Sequence, residues 1–153
     1  AFMATVSYGA IIVPILQDFN ANDVQHIVNH SDSVLLFAGD LIWENLEVDK
    51  LSQLRATISL VDYTCLDQRD GECITQCLGD MDKLFKKAYP KGFTRDDVRF
   101  AELTNDKVIL INYTSGTTGF SKGVMLTGNN LGGNVCFGIS FFEKQFLPLA
   151  YHA

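Results

Sequence analysis

Apolar positions along this chain alternate between a helical and an extended period, and the alternation predicts the order of the elements. Residues 1–9 have the character of a helix tail closed by Gly9, the residue type that most readily takes the left-handed turn ending a helix. Ala10-Ile11-Ile12-Val13 is a short apolar run that predicts a buried strand, ended by Pro14. Val24, Ile27, Val28 and Ser31 recur at helical spacing. Asn20 or Asn22 is placed to cap that helix, with Gln25 three residues after Asn22 as in a capping box. Ser33-Val34-Leu35-Leu36-Phe37 predicts a second strand, and Gly39-Asp40 a break. Leu41, Ile42, Trp43 and Leu46 predict a helix over 41–55, with Trp43 as a core or groove anchor, and Thr57-Ile58-Ser59-Leu60-Val61 a third strand. Strand and helix alternate at βαβ spacing, so the expected fold is α/β, a three-layer sandwich around a largely parallel sheet.

Residues 63–100 carry the weakest pattern. Asp67, Arg69, Asp70, Gly71 and Glu72 suggest an exposed loop. Residues 81–89 predict a helix with Lys83, Lys86 and Lys87 along one side, closed by Pro90-Lys91-Gly92. A solvated face accounts for those lysines more simply than a phosphate-bearing ligand. The pattern sharpens again at Lys107-Val108-Ile109-Leu110-Ile111-Asn112, a fourth strand, and at Lys122-Gly123-Val124-Met125-Leu126-Thr127, a fifth. A helix then runs from Thr127 or Asn129 as cap to about Phe142. Gly132, Gly133 and Gly138 each weaken it by about 1 kcal/mol relative to Ala, which predicts close packing against the sheet.

Between the last two strands, residues 115–123 hold three glycines and four hydroxyl side chains, followed within the same stretch by Lys122. Glycine lets backbone approach a ligand closely, and converging N–H groups and hydroxyls bind anions. The chemistry suits a polyphosphate. A Walker A loop needs Gly, four residues, then Gly-Lys-Ser/Thr. Counting from Gly116 places Ser121 at the second glycine, and counting from Gly119 places Val124 there, so that reading fails. An ordinary Gly/Ser/Thr hairpin loop is the competing explanation.

The stretch Tyr113-Thr114-Ser115-Gly116-Thr117-Thr118-Gly119-Phe120-Ser121-Lys122-Gly123-Val124 resembles the phosphate-binding signature of the adenylate-forming (AMP-binding) superfamily, Tyr/Phe-Thr-Ser-Gly-Ser/Thr-Thr-Gly-x-Pro-Lys-Gly-Val. It departs only at Ser121, where the family has proline, and that change removes no phosphate ligand. A second, weaker match is Tyr8-Gly9-Ala10-Ile11-Ile12-Val13-Pro14 to the family's Ala-Gly-Ala-Val-x-Val-Pro. A third is Asn130-Leu131, with Gly128 where the family has His. Asp106 stands where the family has an acid before the loop strand. The superfamily contains acyl- and aryl-CoA synthetases, firefly luciferase and peptide-synthetase adenylation domains.

Composition changes this picture little. The chain has 153 residues, 47% of them hydrophobic, which suits a globular fold. Its net charge of −6 argues against a nucleic-acid surface. Residues 1–49 contain seven acids and no Lys or Arg, a solvated face or a contact surface. No apolar run reaches the ~18–20 residues of a membrane span. Cys65, Cys73, Cys77 and Cys136 lack paired zinc-ligand spacing and read as reduced thiols. His26 and His30 are one helical turn apart, without the third ligand a metal needs, and read as solvated or capping side chains.

The resemblance implies a fragment of the large N-terminal AMP-binding domain over 1–153, with the phosphate loop at 113–124 and the C-terminal domain outside it. The parent would be an acyl-CoA synthetase of the long-chain fatty acid type, joining a carboxylate to ATP and then to coenzyme A, with Mg²⁺ accompanying the nucleotide. By the same resemblance Thr114, Ser115, Gly116, Thr117, Thr118, Gly119 and Lys122 hold the phosphates, and Lys122 stabilises the leaving pyrophosphate. Leu147-Pro148-Leu149-Ala150 resembles the start of the acyl-pocket motif, which makes His152 a substrate candidate. The loop itself offers no carboxylate to a metal ion. The family's Tyr-Gly-x-Thr-Glu, Thr-Gly-Asp and C-terminal lysine motifs are not in these residues, so the fragment is expected to be inactive alone. The expected location is the cytoplasm, peripheral to a membrane at most, with the rest of the parent chain as partner. The alternatives are another adenylate-forming enzyme, an aryl-CoA ligase or peptide-synthetase adenylation domain, and a non-catalytic phosphate-binding module.

Overall fold

The computed structural model describes residues 1–69, 71, 74–114 and 121–145. Helix α1 (Phe2–Tyr8) ends at Gly9, whose φ of 90° is left-handed. Gly9 N–H donates to Val6 and Ala10 N–H to Thr5, so two otherwise orphaned carbonyls are satisfied. A Cβ on Gly9 would lie 2.6 Å from that of Ala101. The strand expected at 10–13 contracts to one parallel bridge, Ile12 to Leu110. The reason is local: the N–H of Ala10 is already used by the helix cap, and Pro14 has none.

Helix α2 (Ala21–His30) is capped by Asn20, whose side chain accepts from Asp23 N–H and donates to the Asp23 carboxylate at 2.7 Å. The cap is therefore Asn20 with Asp23 as its partner, not Asn22 with Gln25. Val24, Ile27 and Val28 are buried as their spacing requires. Ser31 lies past the helix end, its hydroxyl on the Val28 carbonyl and on Ser33. Val24 and Val28 form the core with Leu46, Leu51 and Leu54, and Trp43 packs against it.

Strand β1 (Leu35–Ala38) pairs parallel with β2 (Ala56–Ser59), in register from Leu35 opposite Ala56 to Ala38 opposite Ser59. Between them the helix expected at 41–55 is one short turn, α3 (Asp40–Trp43), and a 3-10 turn, Val48–Lys50. Arg69 holds the irregular remainder, its guanidinium donating to the carbonyls of Val48, Leu51 and Leu54. With those acceptors satisfied from outside, no continuous helix is needed to bury Leu51 and Leu54.

The α/β class is as expected, but the sheets are mixed rather than largely parallel. Strand β3 (Cys65–Gln68) returns antiparallel on β2. Residues 60–64 are too few for the roughly dozen a parallel crossover needs. Beyond α4 (Ile74–Gly79) and α5 (Met81–Ala88), β4 (Val108–Thr114) and β5 (Lys122–Thr127) form an antiparallel hairpin. Helix α6 (Gly128–Gln145) follows. Thr127 caps it, with its hydroxyl and N–H both on Asn130 Oδ1 at 2.8 Å. The close packing expected at its glycines is not found: among the described residues nothing lies within 4 Å of a Cβ placed on Gly132, Gly133 or Gly138.

Candidate phosphate-binding hairpin

The stretch expected to grip phosphate is followed by a strand, β5, and not by a helix. Strand β4 turns Tyr113 inward, while Asn112 and Thr114 on its other face are exposed and Leu110, further back on that same other face, is buried. Its register puts Tyr113 opposite Gly123 and Thr114 opposite Lys122. The pairing explains Gly123: a Cβ there would stand 3.0 Å from both Tyr113 Cζ and Ile111 Cγ2. The ring of Tyr113 thus crosses the partner strand where only glycine leaves room. Because side chains alternate, Lys122 and Thr114 share the other face, where both are exposed. A primary ammonium and a hydroxyl side by side suit an anionic oxygen rather than a metal ion.

The inward face meets α2. The Tyr113 hydroxyl lies 2.7 Å from His30 Nδ1, with the rings edge-to-face at 88°. One turn earlier, His26 Nε2 is 3.4 Å from the backbone carbonyl of Ser121. Ser121, at the position where the signature has proline, is 7% exposed. The two histidines, expected to be solvated or capping, instead touch both sides of the hairpin neck, although His30 stays exposed at its outer edge. Their i,i+4 spacing was the available signal; what the sequence lacked was any sign that α2 packs on the loop strands. Burial of the phenol pushes the Tyr113 pKa above its ordinary value, and the Asp32 carboxylate adds to the rise.

Of the residues expected to bind phosphate, Thr114 and Lys122 are brought together across the hairpin neck. Ser115, Gly116, Thr117, Thr118, Gly119 and the substrate candidate His152 lie outside the described residues. Cys65 and Cys136 are free thiols. Among the described residues no three His, Cys, Asp or Glu side chains stand together as a metal site. Two clefts, of about 320 Å³ beside Phe19 and Ile42 and about 400 Å³ beside Tyr63 and Met81, contain no hairpin residue. No helix among the described residues is long and apolar enough to cross a membrane.

The profile of the AMP-binding enzyme family matches residues 1–150. A rat (Rattus norvegicus) long-chain-fatty-acid–CoA ligase 5 is 25% identical over 154 residues, which is 95% of this chain and 21% of the ligase. The chain thus spans about a fifth of that relative's length. Among solved structures, a long-chain-fatty-acid-CoA ligase (FadD1) from Archaeoglobus fulgidus superposes with a TM-score of 0.57 at 25% identity, over 87% of this chain and 23% of its own. ATP-bound MatB from Rhodopseudomonas palustris superposes with a TM-score of 0.61 at 18% identity, over 93% of this chain and 24% of its own, a likeness of fold. With the profile running through the helix–strand start, the mixed sheets and the lysine-bearing hairpin alike, the chain belongs to the AMP-binding, adenylate-forming enzyme family.

Proposed function

We propose that residues 1–153 are part of the N-terminal AMP-binding domain of an ATP-dependent acyl-CoA synthetase acting on fatty acids in the cytoplasm. The observation that carries this reading is the exposed pair of Lys122 and Thr114 at the neck of a hairpin that opens onto residues 115–120. Both residues lie within the family match. The likeness to long-chain-fatty-acid ligases supports the choice of acid.

In the first step a carboxylate oxygen bonds to the α-phosphorus of ATP while the bond from that phosphorus to pyrophosphate breaks. Negative charge grows on the departing oxygen, and preorganised donors there lower the barrier. Lys122 is the only formally charged residue between Lys107 and Glu143. Its ammonium therefore supplies the formal charge of this stretch, while Thr114, Ser115, Thr117 and Thr118 offer hydroxyls and Gly116 and Gly119 backbone N–H groups. Mg²⁺ carried in with the nucleotide would neutralise phosphate charge, with its carboxylate ligand supplied from elsewhere in the parent. In the second step the coenzyme A thiolate attacks the acyl carbon and AMP leaves. By the resemblance of Leu147-Pro148-Leu149-Ala150 to the acyl-pocket motif, His152 is the proposed substrate contact. The adenine, ribose and lysine elements are carried outside these residues, so this chain alone forms neither acyl-AMP nor acyl-CoA.

Carboxylate-dependent exchange of pyrophosphate into ATP tests the proposal. The full-length protein should exchange with fatty acids and much less with aryl acids, and the 153-residue chain should not exchange. Exchange by the short chain, or none by the full-length protein with any carboxylate, would overturn it.

A further inference from the structure

Lys122 has to stand on the outer face of β5 for this chemistry, and a two-stranded hairpin alone is a marginal structure. A slip of one residue would send every side chain of β5 to the opposite face. What pins the hairpin is on its inner face. Tyr113 is 5% exposed, its ring lies over Gly123, and its hydroxyl meets His30 Nδ1 at 2.7 Å. Ser121, the residue before Lys122, presents its carbonyl to His26 Nε2 at 3.4 Å. One histidine therefore touches β4 and the other the residue that leads into β5. The spacing suits this: the two rings are 5.4 Å apart, and paired strands lie about 4.8 Å apart. The helix carrying them is fixed independently, by Val24, Ile27 and Val28 in the core.

We propose that His26 and His30 form a clasp that positions Lys122 for phosphate contact by fixing the register of β4 and β5 from the face opposite the ligand. They are positioning residues and do not touch the nucleotide. His30 is the stronger member, because its bond is short and ends on a buried phenol, whereas the His26 contact is long. The clasp rests on the proposed function only for its effect on chemistry; its effect on the hairpin stands without it.

The test uses the full-length protein and follows two half-reactions in single turnovers: acyl-AMP formation, and thioester formation from preformed acyl-AMP. His30→Phe and Tyr113→Phe each remove the same hydrogen bond, so each should slow acyl-AMP formation about fivefold to tenfold. The double variant should be no slower than either single one. His30→Asn, which keeps a polar atom at the Nδ1 position, should recover most of the rate. Thioester formation, with no pyrophosphate to hold, should stay within about twofold. Equal slowing of both half-reactions would mean general damage and overturn the clasp, as would full additivity in the double variant. Amide hydrogen exchange at residues 122–124 is read on the same proteins without nucleotide. Faster exchange in His30→Phe, by about tenfold, supports the clasp even if the wild type adenylates no carboxylate, a result that would count against the proposed function alone. Unchanged exchange overturns the clasp whatever the activity.

Discussion

Replacing Gly123 with Ala adds one methyl where the hairpin has no room. That methyl carbon would lie 3.0 Å from Ile111 Cγ2, 3.0 Å from Tyr113 Cζ and 3.3 Å from Tyr113 Cε2. Favourable carbon–carbon separations are about 3.5–4.0 Å, so all three contacts are repulsive. The Tyr113 ring cannot simply swing away, because it is 5% exposed and its hydroxyl is held by His30. Relief requires lengthening that hydrogen bond, worth about 1 kcal/mol, or spreading the two strands. Overpacking of this kind costs about 1–3 kcal/mol. Against it stands the gain of about 0.4–1 kcal/mol that a Gly→Ala change makes by restricting the unfolded chain. From the middle of each range the net expectation is a loss of about 1.3 kcal/mol. At about 2–4 °C per kcal/mol for a chain of this size, the Tm falls by about 3–5 °C. Circular-dichroism melts of wild type and variant measure it, with Tyr113→Phe/Gly123→Ala showing whether the phenol hydroxyl is the constraint. A Gly123→Ala protein as stable as the wild type would refute the close approach of Tyr113 to β5.

Gly132→Ala and Gly138→Ala should do the opposite, because their helix positions face open space among the described residues. Each should add up to about 1 kcal/mol, and a lower Tm for either would mean that something packs there after all. The Tyr113 phenol, with its pKa raised by burial and then by Asp32, should ionise above the ordinary tyrosine value in a phenolate absorbance titration that compares wild type with Tyr113→Phe. Its stabilising contribution is complete below the unfolded value of about 10 and is lost as pH rises through the higher folded value. Alkaline unfolding should therefore be displaced upward in Tyr113→Phe relative to a Tyr89→Phe control, after allowing for neutral-pH stability. Asp32→Asn should lower the Tyr113 value without returning it fully to normal.

How much of this was readable beforehand depended on whether the cause was local. The hairpin was legible because β-branched runs flank a glycine-rich loop, and Val124-Met125-Leu126 before the Thr127 cap called for a strand, not a helix. Helix α2 was legible from Val24, Ile27 and Val28, and the end of α1 from Gly9. Strand β3 was not, since Cys65-Leu66-Asp67-Gln68 has neither β-branched residues nor clean alternation, and its pairing with β2 is set by a tight connection. The helix expected over 41–55 was drawn too long because Arg69, well downstream, satisfies the carbonyls of Val48, Leu51 and Leu54. The His26 and His30 contacts with Ser121 and Tyr113 are likewise long-range in sequence. The glycines of α6 misled for the opposite reason: a helix-weakening residue implies a packing partner only when one is close.

Lys122→Ala in the full-length protein, with each half-reaction followed in a single turnover, tests the central claim most directly. A charge-assisted bond to a leaving phosphate is worth about 1.5–3 kcal/mol, so acyl-AMP formation should slow about ten- to a hundredfold. Thioester formation from preformed acyl-AMP should change little, and the melting temperature should stay within about 2 °C, because Lys122 is exposed. Equal slowing of both steps, or slowing of thioester formation alone, would contradict the role assigned to Lys122 and with it the phosphate-binding hairpin.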